Sequence, residues 1–439
     1  MRFFYALILT CFAAIPARAD VNIQSVTSPG GLTAWLVKEP SIPFVALEIR
    51  FRGGASLDEP DKRGAINLMT ALLEEGAADM DARAFSKASD SLATSFGFDV
   101  SRDAVSISAR FLTENRDASV ALLRVALQET RFDVEAIERV RGQVLSIIQS
   151  DAKDPDDIAG QTFNQMAYGD HPYAYSINGT LESVAALTRD DLIAARDAAL
   201  ARDRIYIGAV GDITPAELGA LIDELLGDLP STGAAMPERA KVDIPAGVTV
   251  VDYPTPQSVA LFGHRGIAQS HPDFFAATIL NHVLGGGSFE SRLMNEVREK
   301  RGLTYGIYSY LVSRDLAEVY MGSVSSANDR IAQAIEVIRD EWQKAASEGI
   351  SDTELQNAKT YITGAYPLRF DGNAPIANIL VGMQMLGLPI DYIATRNNKV
   401  EAVTMADVKR VAGELLDPDA LHFVVVGQPV GLQTTTPIE

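Results

Sequence analysis

The chain has 439 residues, with 58 acidic against 38 basic side chains, a formal net charge of −20 and 47% hydrophobic residues. This length exceeds one ordinary domain and suits two of about 200 residues, and the acidic excess argues against nucleic acid and anionic lipid surfaces as partners. The single cysteine, Cys11, lies so near the start that no disulfide or thiol chemistry is expected in the body of the chain.

Arg2, an apolar run over residues 3–15 and the small residues of Ala17-Arg18-Ala19 form the pattern of a secretory signal. The apolar run is well short of the ~20 residues needed to span a bilayer. Residues 1–19 are therefore expected to be removed, with the mature chain starting at Asp20 and carrying a charge near −22 once Arg2 and Arg18 are gone. Thr10 and the early position of Cys11 do not suit a lipoprotein. Farther on, the most apolar segment, 377–394, is interrupted by Gln384, Pro389 and Asp391, so no membrane span is expected. The expected compartment is the periplasm.

Along the chain, alternating apolar residues predict paired strands at 33–38 and 44–51, followed by a helix over 64–75. Further on, Val184-x-x-Leu187-Thr188-x-x-Asp191-Leu192 reads as a helix start with a capping box, in which hydroxyl and carboxylate each satisfy a backbone N–H. A strand-like run, 204–210, then closes on Gly211. The segment 229–246, beginning Leu-Pro-Ser-Thr-Gly, has no periodicity and reads as a linker. After it the order repeats: strands at 249–252 and 259–263, a helix over 272–284, Val400-x-x-Val403-Thr404-x-x-Asp407-Val408, and a strand closing on Gly427. Thr404 follows Thr188 by 216 residues, and Gly427 follows Gly211 by the same 216. Two matches at one offset point to duplication, with units at 20–228 and 247–439. Strands mixed irregularly with long helices indicate an α+β architecture and not a doubly wound parallel sheet.

The stretch 284–310 carries the densest pattern. Leu284-Gly285-Gly286-Gly287 leads into Ser291-Arg292-Leu293, then Arg298-Glu299-Lys300-Arg301-Gly302-Leu303-Thr304-Tyr305. Three consecutive glycines predict a flexible loop, followed by a short helix ending near Gly302 that delivers Tyr305 into a strand. This stretch resembles the C-terminal half of insulinase/pitrilysin-type peptidases, a family that includes the mitochondrial processing peptidase. Its Arg/Tyr pair, seven residues apart, falls on Arg298 and Tyr305. The resemblance extends over nearly the whole mature chain, through Gly53-Gly54-Ala-Ser-Leu-Asp58-Glu59-Pro60, His171-Pro172-Tyr173 and Val210-Gly211-Asp212. It implies two homologous domains, each a mainly antiparallel sheet covered by helices, that together form half of a clam-like shell around a peptide chamber.

Where active members of that family carry the H-x-x-E-H zinc helix, this chain departs. Aligned on Gly64, those positions hold Asn67, Thr70 and Ala71, and the downstream glutamate ligand falls at Ser146 or Ile147. No register rescues the motif, because the five histidines are His171, His264, His271, His282 and His422. No metal site and no cofactor are therefore expected in this chain. The resemblance implies that a zinc-bearing homologous subunit with H-x-x-E-H is the partner, that the substrates are peptides, and that Arg298 and Tyr305 are supplied to the partner's site. On the same basis Gly285, Gly286 and Gly287 are assigned to peptide entry and binding, with simple loop geometry as the alternative. His171-Pro-Tyr reads first as a structural turn and His282 as a core residue. The competing reading of the whole chain is a non-catalytic structural or peptide-binding scaffold of the same fold. A serine hydrolase has little support, since Gly-x-Ser-x-Gly is absent.

Overall fold

In β3 (Phe44–Arg52), Val45, Leu47, Ile49 and Phe51 are all buried, while Phe44, Glu48, Arg50 and Arg52 on the other face are not. This period of two splits the strand into a core side and a far side. A computed structural model describes residues 21–437, so the leader expected at 1–19 lies outside the described residues.

The first half contributes β1 (Ile23–Thr27), β2 (Thr33–Lys38), β3, the short pair β4 (Gly76–Ala77) and β5 (Met80–Asp81), β6 (Ser95–Val100), β7 (Ala104–Leu112) and β8 (Ile205–Gly211). Its main sheet runs β1-β2-β8-β3-β7-β6. The second half contributes β9 (Gly247–Asp252), β10 (Gln257–Arg265), β11 (Ile307–Ser313), β12 (Glu318–Ala327) and β13 (His422–Gly427), in the order β9-β13-β10-β12-β11. Apart from β1, which has no counterpart on the outer edge of β9, the two sheets match strand for strand. In each, one pair is parallel (β2 with β8, β9 with β13) and the remaining pairs are antiparallel. The expected α+β duplication is the fold.

The markers that revealed the repeat have local causes. Thr188 accepts from Asp191 N at 3.3 Å while the Asp191 carboxylate accepts from Thr188 N at 2.7 Å; for Thr404 and Asp407 the distances are 3.2 and 2.9 Å. Gly211 and Gly427 end β8 and β13 with φ of 145° and 151°. A side chain at Gly211 would run into the Phe44 carbonyl, and one at Gly427 into Ser258.

Each sheet packs one face on its own helices around a large core. The opposite faces exchange helices between the halves. The helix Pro155–Tyr168 of the first half lays Ala159, Phe163, Ala167 and Tyr168 against Val259, Val319, Met321, Val424 and Val426 of the second sheet. In return, the helix Asn373–Met385 of the second half lays Ala377 and Leu380 against Ala46 and Val210 of the first. Close approach needs a glycine on each side: a Cβ at Gly208 would sit 2.7 Å from Ala377 O, and one at Gly263 would sit 3.1 Å from Phe163 Cζ. Equivalent hairpin tips also meet. Asp315 N, in the β11–β12 turn, donates to Asp103 in the β6–β7 turn at 3.2 Å, and the Tyr173 hydroxyl bridges Asp103 and Leu316 N. Arg52 grips Asp315 through two hydrogen bonds of 2.6 and 2.8 Å. Residues 229–246 form no helix or strand, and Ala240, Val242 and Ile244 pack into the same seam.

Candidate functional site

The glycine run is ordered differently from the flexible loop expected of it. The helix Phe274–Asn281 continues into a wide helical turn, His282–Gly286, of the i→i+5 type, a form that is rare and concentrates at functional sites. Each glycine is demanded by close contact. A Cβ at Gly285 would lie 2.8 Å from Ser309 N of β11, one at Gly286 2.5 Å from Asn281 Nδ2, and one at Gly287 2.6 Å from His282 O. Ser309 then donates to Asn281 Oδ1 at 2.9 Å, pinning the turn to the strand. Gly285 is buried and Gly286 exposed.

After a short turn at Ser288–Glu290, a second wide helical segment, Met294–Glu299, carries Arg298. Leu293, Met294 and Val297 anchor it in the core. The Arg298 guanidinium carbon lies 4.7 Å from the centre of the Phe289 ring, a cation–π contact. Its Nη1 is inaccessible to solvent and has no hydrogen-bond partner among the described residues, although Glu299 Oε1 lies 3.5 Å away. The structure thus brings Arg298 together with the segment following the glycines.

Tyr305 sits in the turn before β11 and not in the strand itself, which starts at Ile307. Gly302, at φ 61°, ends the helical segment, and its N–H donates to Arg298 O at 2.8 Å. The buried Thr304 hydroxyl fixes the turn, contacting Ser325 O at 2.6 Å and Gly306 O at 2.8 Å and accepting from Gly306 N at 3.1 Å. Tyr305 is left 88% exposed. No hydrogen bond joins it to Arg298. Three residues escaped sequence reasoning here: Thr304, which holds the turn, and Tyr308 and Tyr310, which are exposed on one face of β11. The alternation Tyr-Ser-Tyr was the available signal.

The zinc-helix positions hold other chemistry. Asp58 caps the helix Ala65–Ala71, accepting from Gly64 N at 2.8 Å and Ile66 N at 3.0 Å. Burial pushes its carboxyl up to about 7 against the pull of those donors. Asn67 donates to Asn178 at 3.0 Å, which in turn donates to Asp151 at 3.2 Å. The Thr70 hydroxyl is buried and donates to Ile66 O at 2.7 Å. Ala71 offers no donor atom, Ser146 bonds its own helix at Gly142 O, and Ile147 is 47% exposed. These residues do not fit a zinc ion. Among the described residues no group of three His, Cys, Asp or Glu side chains could hold a metal. The histidines serve structure. His264 accepts from Trp342 Nε1 at 3.0 Å in the core, and His282 stacks on Tyr361 at 4.9 Å. Burial lowers the pKa of both. His171 accepts from Tyr173 N at 3.1 Å, which closes the His-Pro-Tyr turn.

Comparison with known proteins agrees with this geometry. Residues 34–181 match the model of the insulinase family, peptidase family M16, and residues 186–362 match that of the peptidase M16 inactive domain. The boundary between the matches falls before β8, so it does not coincide with the duplicated units. A non-peptidase homolog, YmxG, from Helicobacter pylori is 24% identical over 386 residues, covering 88% of this chain and 89% of that protein. An uncharacterized zinc protease of Bacillus subtilis is 25% identical over 403 residues, covering 90% and 96%. A crystal structure of a peptidase M16 inactive domain from Pseudomonas fluorescens superposes with a TM-score of 0.86 at 27% identity, covering 95% of this chain and all of that one.

Proposed function

The chain belongs to the insulinase peptidase family as an inactive member, and from that premise we propose that it is the non-zinc-binding subunit of a heterodimeric peptidase. In this reading a homologous subunit with H-x-x-E-H holds the zinc, and this chain supplies Arg298 and Tyr305 to the peptide. One observation carries it. Tyr305 is 88% exposed on a turn held by the Thr304 hydroxyl, whereas a tyrosine retained for packing would be covered. The phenol is thus preorganised to donate to a substrate oxygen as negative charge develops there. Arg298, swinging from beneath Phe289, holds a neighbouring peptide carbonyl by a charge-assisted bond and fixes the register. The wide helical turn at Gly285 and Gly286 borders the same segment, and we assign it to peptide entry. Export directed by residues 1–19 places the complex in the periplasm.

The test is to produce this chain alone and with a zinc-bearing homologue, then to assay peptide cleavage. Tyr305→Phe is expected to lower kcat of the complex about a hundredfold or more without weakening assembly. Full activity of that mixed complex would overturn the reading, as would cleavage by this chain alone. Recovery of protein starting at Asp20 from the periplasmic fraction tests the export. A second reading, a non-catalytic scaffold, is favoured by the engagement of Arg298 with Phe289 and Glu299. A tight complex that stays fully active after Arg298→Ala supports that second reading.

A further inference from the structure

Between the helix Pro155–Tyr168 and the segment 175–181 lies a cleft of about 730 Å³, within the ordinary size range of small-ligand sites. Arg63, Arg102 and Tyr175 all line it. The Arg63 guanidinium carbon lies 3.3 Å from the centre of the Tyr175 ring, and Arg102 Nη2 donates to Tyr175 O at 3.1 Å. The basic side chains around them are largely paired with carboxylates, as in Arg52 with Asp315, Lys62 with Asp191 and Arg239 with Glu318. Arg63 and Arg102 form no such ion pair among the described residues. Arg102 Nε is inaccessible to solvent and has no partner. Burial, together with repulsion from Arg314, pushes the Arg102 guanidinium down to about 10.

Two carboxylates near the arginines already accept hydrogen bonds from other groups of the protein. Asp103 accepts from the Tyr173 hydroxyl and Asp315 N, and Asp58 accepts from two N–H groups of the helix it caps. A guanidinium crowded by another guanidinium, with an unused buried donor, is the environment that a bound anion neutralises. Asp151, Asp156 and Asp157 also line the cleft. Burial pushes the carboxyls of Asp156 and Asp157 up, and their acidic neighbours add to it. Those carboxylates oppose a multiply charged anion such as phosphate. They suit a ligand with one negative charge confined to the arginines and a neutral or ammonium-bearing remainder.

We propose that this cleft holds the free C-terminal carboxylate of a short peptide between Arg63 and Arg102. The site lies on the first half, apart from Arg298 and Tyr305, and binding needs no partner subunit, so it stands or falls separately from the function proposed above. The experiment is calorimetric titration of the isolated full chain at low salt with tetra-alanine, with its C-terminal amide and with inorganic phosphate. The free acid is expected to bind, and the amide to bind about tenfold or more weakly, the loss typical of a charge-assisted hydrogen bond. Arg102→Gln is expected to reduce the free acid to the level of the amide while leaving the amide unchanged. Arg63→Gln, whose side chain rests on the ring face, provides the same reading should the first variant fold poorly. Equal binding of acid and amide overturns the proposal, as do absence of binding by the acid and phosphate binding tighter than the acid.

Discussion

On the far face of the first sheet, β3, β6 and β7 present Glu48, Arg50, Asp99 and Arg110, whereas the matching strands β10, β11 and β12 of the second sheet present Leu261, Tyr308 and Tyr310. β1 aside, strand order and pairing are the same, and so is the exchange of a helix that covers part of each face. Duplication therefore preserved the backbone and left the side chains of the far faces to diverge, including Arg50 and Leu261, which meet the exchanged helices. The same contrast holds one layer out. In the first half the helix Ala65–Ala71 carries an amide relay where the family places its metal, while in the second half the segment 282–306 keeps a wide, glycine-dependent helical geometry that ends on an exposed tyrosine.

The contrast can be broken or sharpened by substitution. The largest expected effect concerns what the halves share. Phe163→Ala empties the seam under β10, and Leu380→Ala does the same over β8; a loss of about 3–5 kcal/mol is expected for the first and about 2–5 kcal/mol for the second, read by denaturant unfolding. A single transition in both variants would show that the halves unfold as one, whereas two separated transitions would show that they do not. Next comes Tyr305→Phe, which removes one donor on the order of 2.7–4 kcal/mol in transition-state stabilisation and should leave the melting temperature in place. Gly285→Ala drives a methyl group toward Ser309 N, and a cost of about 1–3 kcal/mol is expected, with displacement of β11 and its Tyr308 and Tyr310 visible as altered near-ultraviolet circular dichroism. Thr188→Ala and Thr404→Ala remove equivalent caps and should each cost about 1 kcal/mol; unequal losses would show that the two copies no longer bear equal loads.

The last expected effect is a pH dependence that arises from Glu48 in the first half. Burial pushes the Glu48 carboxyl up to about 7, against the pull of Arg50 and Arg110 and with Asp99 adding to the rise. A carboxyl whose pKa is raised on folding favours the fold at low pH, and that contribution is lost as pH climbs through the folded value. Glu48→Gln should thus match the parent near pH 4.5 and melt at a higher temperature above pH 7. Equal melting curves at both pH values would remove Glu48 from this account.

Much of the architecture could be read beforehand because its markers are local. A capping threonine three residues before an aspartate, and a glycine closing an apolar strand, act within one turn of chain, so Thr188, Thr404, Gly211 and Gly427 announced the repeat. The departure from the family's zinc motif was equally plain, since no histidine precedes His171. What stayed hidden depends on distant parts meeting. The apolar face of Asn373–Met385 could be recognised, but nothing in its residues says that it covers the other half's sheet. Three glycines predict looseness by propensity, yet Ser309 and Asn281 close around them and make a packed helical turn. Arg63, Arg102 and Tyr175 lie far apart in sequence and become a cleft wall only once the first half has closed.

The exchange of helices also has a consequence for how the chain is made. As synthesis proceeds from the N-terminus, all strands of the first sheet exist once residue 211 has emerged, but the face around Ala46 and Val210 stays bare until residues 373–385 follow. The helix Pro155–Tyr168 likewise waits with Phe163 uncovered until β10 and β13 are in place. Contacts of such long sequence separation form late, and apolar surface held open in the meantime invites aggregation. This protein should therefore lean on holding chaperones until its last strand, β13, has been delivered, and truncation before residue 373 should yield insoluble material in place of a working half.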